Sequence, residues 1–243
     1  MLKMDTNMND LKSSTRRATL FPLLALLFAS GIGVLLSAVR IERTHNWRYA
    51  LLPGNLFLAW LPLIFALGVY HLHHKGERRS LRLAALAGLW LLFFPNAPYI
   101  FTDLVHLWSN FRSAFWVDMM LVLLVALTGF VVGCLSLFLM QWVVAERLGK
   151  LAGWLFIIVV AWLTGFGVYV GRFLRWNSWD LLMHPWDVTN SIGHVAAHPL
   201  ANPNSVVFPA LFATFLFLGY LMLYALTHLQ PARGSVSGLE FKV

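Results

Sequence analysis

Two carboxylate–imidazole pairs stand out in a chain that is otherwise poor in charge. Asp103 and His106 lie three residues apart, and Asp180 and His184 four apart. Both spacings put the members of a pair on one face of a helix. A carboxylate that orients an imidazole serves proton transfer, and two such pairs brought together have the donors for a zinc- or manganese-type ion with an open position. Spacing alone does not bring the pairs together, so a metal-free acid–base or anion-binding site stands beside the metal reading, and no residue is assigned as a metal ligand. Arg172 and Arg175 close a long apolar stretch, where a guanidinium can clamp a phosphate or carboxylate. Their plainer role is to snorkel into the headgroup layer. Asn96, Tyr99, Asn177 and Asp187 flank these groups and complete a candidate substrate-binding set beside the candidate catalytic residues Asp103, His106, Asp180 and His184.

The elements around these residues are unusual. Phe94-Pro95-Asn96-Ala97-Pro98 carries two prolines three apart. Each lacks an N–H and disfavours helix just before it, so a helix arriving here must break, at or near a membrane surface. The carbonyls so freed require water, a protein partner or a ligand. In the second stretch, Asn177 or Ser178 is placed to cap a short helix that carries Asp180 and His184 and that Pro185 would end. The plainer reading of Asp103 and His106 is a capped interfacial helix whose polar groups face water. His194 and His198 sit among Gly, Ala and Pro and read as loop residues. The run His71, His73 and His74 is expected in a cytoplasmic loop beside Lys75 and Arg78, where repelling charge disfavours metal capture.

What must position these groups is a set of membrane helices. The chain has 243 residues, 59% of them hydrophobic and 12% charged, with a mean hydropathy of +0.71. A soluble domain is about half apolar and about a quarter charged. Stretches near the roughly 20 residues needed to cross a bilayer fall at about Leu20–Val39, Leu51–Tyr70, Leu83–Phe94, Val117–Trp142, Leu151–Gly171 and Val206–Thr227. The expected fold is all-α, a polytopic transmembrane bundle of about six spans, with tails at residues 1–19 and 229–243 around one helical domain at 20–228. Twelve Lys and Arg fall in the tails and even-numbered loops and six in the odd-numbered loops, which predicts both termini inside. The loops at 95–116 and 172–205 then share the outer face. Gly129 with Gly133, and Gly167 with Gly171, have the small-xxx-small spacing that lets helices approach closely.

The net charge of +8 does not indicate nucleic acid, because the basic residues cluster beside the apolar stretches, as juxtamembrane Lys and Arg do. The single cysteine, Cys134, lies within a span and excludes an intramolecular disulfide. No Gly-rich phosphate loop, His-Glu-x-x-His or Gly-x-Ser-x-Gly is present.

The stretch Phe-Pro-Asn-Ala-Pro-Tyr-Ile-x-Thr-Asp-Leu at 94–104 and the later Asn-Ser-Trp-Asp at 177–180 resemble the signatures of a bacterial multi-pass membrane family catalogued as domain of unknown function 1361. The resemblance implies a bacterial membrane protein and points to the same two loops, but it implies no activity. The expected setting is the bacterial cytoplasmic membrane, with the lipid bilayer as partner and a lipid or small molecule as ligand; cofactor and protein partner stay open. Three functions fit: a membrane-embedded enzyme acting on a lipid or envelope substrate, a permease for a small solute, or an envelope assembly factor without catalysis.

Overall fold

The computed structural model describes residues 2–77, 80–105, 115–197 and 203–228. Every element among them is helical. Six helices are long and apolar enough to cross a membrane: span 1 (Phe21–Thr44), span 2 (Trp47–His74), span 3 (Leu81–Leu104), span 4 (Phe115–Leu148), span 5 (Lys150–Leu174) and span 6 (Asn204–Thr227). The protein is therefore a multi-pass membrane protein. The helix that contains span 1 begins at Leu2 and runs through the tail expected at residues 1–19, whereas residues 229–243 lie outside the described residues. The expected loop at 172–205 is largely helical as well, with a short turn at Asp180–Met183 and a loop helix at Pro185–Ala197. Pro185 opens that loop helix, as proline favours the first helical turn.

Burial is uneven. Two thirds of the apolar stretch of span 4 is buried (67%), against 11% for span 1. Span 4 thus forms the middle of the bundle and the other spans pack round it. Lipid is as apolar as leucine, so the outward Phe21, Phe28, Leu35, Phe57 and Leu163 are left exposed on the bundle surface. Without a hydrophobic driving force, the spans associate through close contact and hydrogen bonds.

Span 3 shows how close that contact becomes. Its regular helix ends at Phe93, a turn at Phe94-Pro95 follows, and the chain continues through a short helix Asn96–Tyr99 and a 3-10 turn Ile100–Leu104. The break is packed among the other spans, with Phe94, Ala97 and Ile100 fully buried. The glycine pairs explain its fit. A methyl group on Gly133 would sit 2.7 Å from Cβ of Ala97, and one on Gly129 would sit 2.8 Å from Cδ1 of Ile100. From span 5, a methyl on Gly167 would meet Pro95 at 2.8 Å, and one on Gly171 would meet the Tyr99 ring at 3.1 Å. Both small-residue faces therefore receive the irregular segment of span 3.

Polar side chains fasten the ends. At one end Arg40 of span 1 forms a two-pronged pair with Asp118 of span 4, Nε–Oδ1 2.7 Å and Nη2–Oδ2 2.9 Å, and the Tyr49 hydroxyl donates to the same carboxylate at 2.8 Å. At the other end His73 is buried between two neighbours on span 4: Nε2 lies 3.0 Å from a Glu146 oxygen, and Arg147 Nε donates to Nδ1 at 3.0 Å. The histidine run thus occupies the last turn of span 2, not a loop.

Two outcomes follow from this packing. Gly133→Ala should cost about 1–3 kcal/mol, the usual penalty of overpacking, whereas Gly31→Ala, whose methyl meets nothing within 4 Å, should leave stability unchanged or slightly raised. Thermal unfolding followed by tryptophan fluorescence in detergent separates the two. A double-mutant cycle on Arg40→Ala and Asp118→Ala should give a coupling of about 1.5–3 kcal/mol, as for a hydrogen bond to a charged group. A coupling near zero would make the pair an ordinary surface contact.

Candidate functional site

The break in span 3 frees carbonyls, and the site is built from what satisfies them. Pro95 and Pro98 have no N–H to give to the preceding turn. The Asn96 amide donates to the carbonyl of Phe93 at 2.9 Å and to the Ser178 hydroxyl at 3.0 Å. Ser178 in turn donates to the carbonyl of Leu92 at 3.1 Å, and Thr102 donates to that of Tyr99 at 2.7 Å. The partners are thus protein groups, and one of them arrives from the loop after span 5. Asn96 and Ser178 join the two signature stretches directly.

A second link lies one turn further on. The Asp103 carboxylate accepts from the Asn55 amide of span 2 at 2.9 Å, and Arg172 Nη1 lies 3.9 Å from its other oxygen. Three spans therefore meet on one carboxylate, with both charged side chains mostly buried. The 3.9 Å separation makes the Arg172 contact an ion pair of reach and not a tight fork.

Arg172 sits in a π turn at Val170–Leu174, which widens the helix end of span 5. Such turns recur at functional sites because they re-aim side chains at the cost of regular bonding. The turn closes on Arg175, whose left-handed conformation (φ 61°, ψ 31°) is one that residues other than glycine seldom adopt. The exposed Arg175 is thereby fixed at the mouth of the loop.

The other candidates are arranged differently from the expectation. The Asp180 carboxylate turns back on its own turn and accepts from the backbone N–H of Asn177 at 2.6 Å and its side-chain amide at 3.3 Å. Asp180 therefore caps Asn177, the reverse of the expected capping of this turn by Asn177. His184 ends the turn with its N–H on the Asp180 carbonyl at 2.7 Å and is exposed, as is Asp187 in the first turn of the loop helix. Tyr99 packs its ring on Gly171. His106, the expected partner of Asp103, lies outside the described residues, as does His198. Among the described residues no three His, Cys, Asp or Glu side chains are grouped to hold a metal ion.

Asn55 and Ser178 complete the site, and neither was among the candidate site residues. Asn55 had a weak signal, since a lone amide in an apolar stretch needs a partner. Ser178 was considered only as a cap. Replacing it with Ala should cost about 1–3 kcal/mol for each buried group left without a partner and speed proteolysis at residues 175–184. Thr189→Ala, which loses bonds only to carbonyls of its own exposed helix, serves as the control in the same limited-proteolysis time course.

One comparison with known proteins covers this region. The model of a family described as protein of unknown function (DUF1361) matches residues 54–219. The match begins in span 2, so it takes in Asn55, Asp103 and Arg172 and leaves span 1 outside. No curated protein and no solved structure matches the chain. With more than half of its length matched, the chain belongs to the DUF1361 family of proteins of unknown function.

Proposed function

We propose that the protein is a membrane-embedded enzyme of the bacterial cytoplasmic membrane, acting on an anionic lipid or other envelope substrate at its extracytoplasmic end. The observation that carries this reading is the mostly buried Asp103 carboxylate held between Asn55 and Arg172, at 2.9 and 3.9 Å. Three spans converge on it at the end where both signature stretches meet. A carboxylate next to a guanidinium suits attack on a headgroup ester: the cation receives charge on an anionic oxygen while the carboxylate takes the proton of the attacking hydroxyl or water and returns it to the alcohol oxygen that departs as the ester bond breaks. In this reading Arg172 and Arg175 hold the headgroup, with Asn177, Asp187 and Tyr99 bordering it. His106 relays the proton taken by Asp103. Asn96 acts by positioning, since its amide holds the break together. Asp180 and His184 are the weaker acid–base pair, because the Asp180 carboxylate already serves the Asn177 N–H.

Solute passage is the competing reading, and the packing favours it less. A permease needs a wet route through the middle of its bundle, and here span 4 occupies that middle with Val125, Val132 and Leu137 fully buried. The orientation with both termini inside rests on the twofold excess of Lys and Arg in the tails and even-numbered loops.

The test is mass spectrometry of the lipids and envelope glycolipids of a host producing the protein or its variants. The wild type should change the abundance of at least one anionic species. Asp103→Asn should lower that conversion by about 10²–10⁴-fold, the usual contribution of a general base. Arg172→Gln should lower it as well. Unchanged conversion in Asp103→Asn, or no conversion by the wild type, would remove the catalytic reading.

A further inference from the structure

Beside the polar joint lies a groove of about 350 Å³ between spans 3 and 5, at the low end of the volumes typical of ligand pockets. Its walls are Leu91 and Leu92 on one side and Leu163, Phe166 and Val170 on the other. Glycine makes the space: Gly88 lines the groove and a methyl placed there would meet nothing within 4 Å. The loop helix covers the groove with Val188 and Ile192, four residues apart on one face, while its Trp186, Asp187 and Asn190 point away and are exposed. The rim is polar and is formed by Asn177 and Ser178.

Place and size narrow the occupant. Leu91 and Leu163 are both partly exposed on the sides of membrane-crossing helices, so the groove opens sideways to hydrocarbon. From Gly88 to Pro95 it extends about 10 Å along the helix axis at roughly 1.5 Å per residue. One leaflet of a roughly 30 Å hydrocarbon core is about 15 Å deep. The groove therefore matches the upper part of a chain lying in a single leaflet. Charge narrows it further. Arg172, in the last turn of span 5, reaches toward Asp103, and the exposed Arg175 directly precedes the lining residues Trp176, Asn177 and Ser178, so an anionic headgroup at the rim has basic residues beside it.

We propose that this groove seats one acyl chain of an anionic membrane lipid, with its headgroup at the turn 172–178. This rests on the reading of that end as an anionic-headgroup site and supplies the substrate's tail. Neutral lipids share the tail but lack the charge that the two arginines select.

The experiment uses the full-length protein in phosphatidylcholine vesicles containing phosphatidylglycerol brominated on its acyl chains. Bromine quenches tryptophan on contact, and Trp176 lines the groove; its part of the signal is the difference between wild type and Trp176→Phe. That part should saturate at a low fraction of brominated phosphatidylglycerol. Gly88→Leu fills the groove from open space and should raise the fraction needed by about tenfold, the effect of excluding a few methylenes. Gly31→Leu adds the same bulk to open space on span 1 and should change nothing. Brominated phosphatidylcholine should give only the level of bulk lipid. Equal quenching by the two lipids, or no effect of Gly88→Leu, would overturn the proposal while leaving the lipid-conversion result for Asp103→Asn intact. A seated lipid without any conversion would retain the groove and remove the enzyme.

Discussion

A backbone break buried among apolar helices is the constraint from which the rest of this structure follows. Pro95 and Pro98 interrupt span 3 where Phe94, Ala97 and Ile100 are fully buried, and in that setting each unpaired carbonyl costs as much as a lost hydrogen bond. The surrounding helices have to come close enough to exclude lipid and polar enough to supply partners. Gly129 and Gly133 on span 4, with Gly167 and Gly171 on span 5, meet the first requirement, since none has room for a methyl group without displacing residues 95–100. Asn96, Ser178 and Thr102 meet the second. The glycines and the three polar side chains are two parts of one solution: an irregular segment needs backbone contact on its flat sides and hydrogen bonds at its open ones.

The same logic governs the charges. Lipid-facing spans gain little by touching one another, and span 1 buries only 11% of its apolar stretch. It is held at its end by the Arg40–Asp118 fork and the Tyr49 hydroxyl. At the opposite end His73 mediates between spans 2 and 4 through both ring nitrogens. With Arg147 donating to Nδ1, the ring bears its proton on Nε2 and passes it toward Glu146, a tautomer assigned from the partners. The charged anchors thus sit at helix ends, where desolvation is partial, and the middle of span 4 is filled mainly by close-packed apolar side chains.

How much of this was legible in the sequence depends on which force sets each feature. The bilayer demands long apolar runs, so the six spans could be read with their order, and the two prolines marked the break to the residue. Burial of that break could not be read, because prolines are tolerated in a span only when neighbouring helices supply partners, and those partners lie far along the chain. Arg40 and Asp118 are separated by 78 residues and Asn96 and Ser178 by 82, beyond the reach of any local pattern. The glycine pairs were visible, but spacing says only that something approaches closely, not that it is a broken helix. Gly193 and the nearby prolines hid the loop helix Pro185–Ala197, whose Val188 and Ile192 form an apolar face only once the groove beneath them exists. The candidate site was half legible: Asp103 and Arg172 were named from their types and do meet, whereas the contact of the Asp180 carboxylate with Asn177 was not read.

The two carboxylates differ in their surroundings. Asp180 sits on an exposed four-residue turn and stabilises it locally, as a carboxylate does wherever free N–H groups are at hand. Asp103 sits where spans 2, 3 and 5 converge, mostly withdrawn from solvent, and its partners come from 48 and 69 residues away in sequence. A carboxylate kept in such a place incurs a desolvation cost that a purely structural contact could avoid with an apolar residue of similar size. The π turn and the left-handed Arg175 add irregular backbone at the same end of span 5, and strained backbone clusters where a fold holds a side chain to a task. A mostly buried carboxylate, two arginines on an irregular turn and an apolar groove therefore all border the end of span 5. The amphiphile proposed above would use all of them at once, its charged and apolar parts being met on either side of the same boundary.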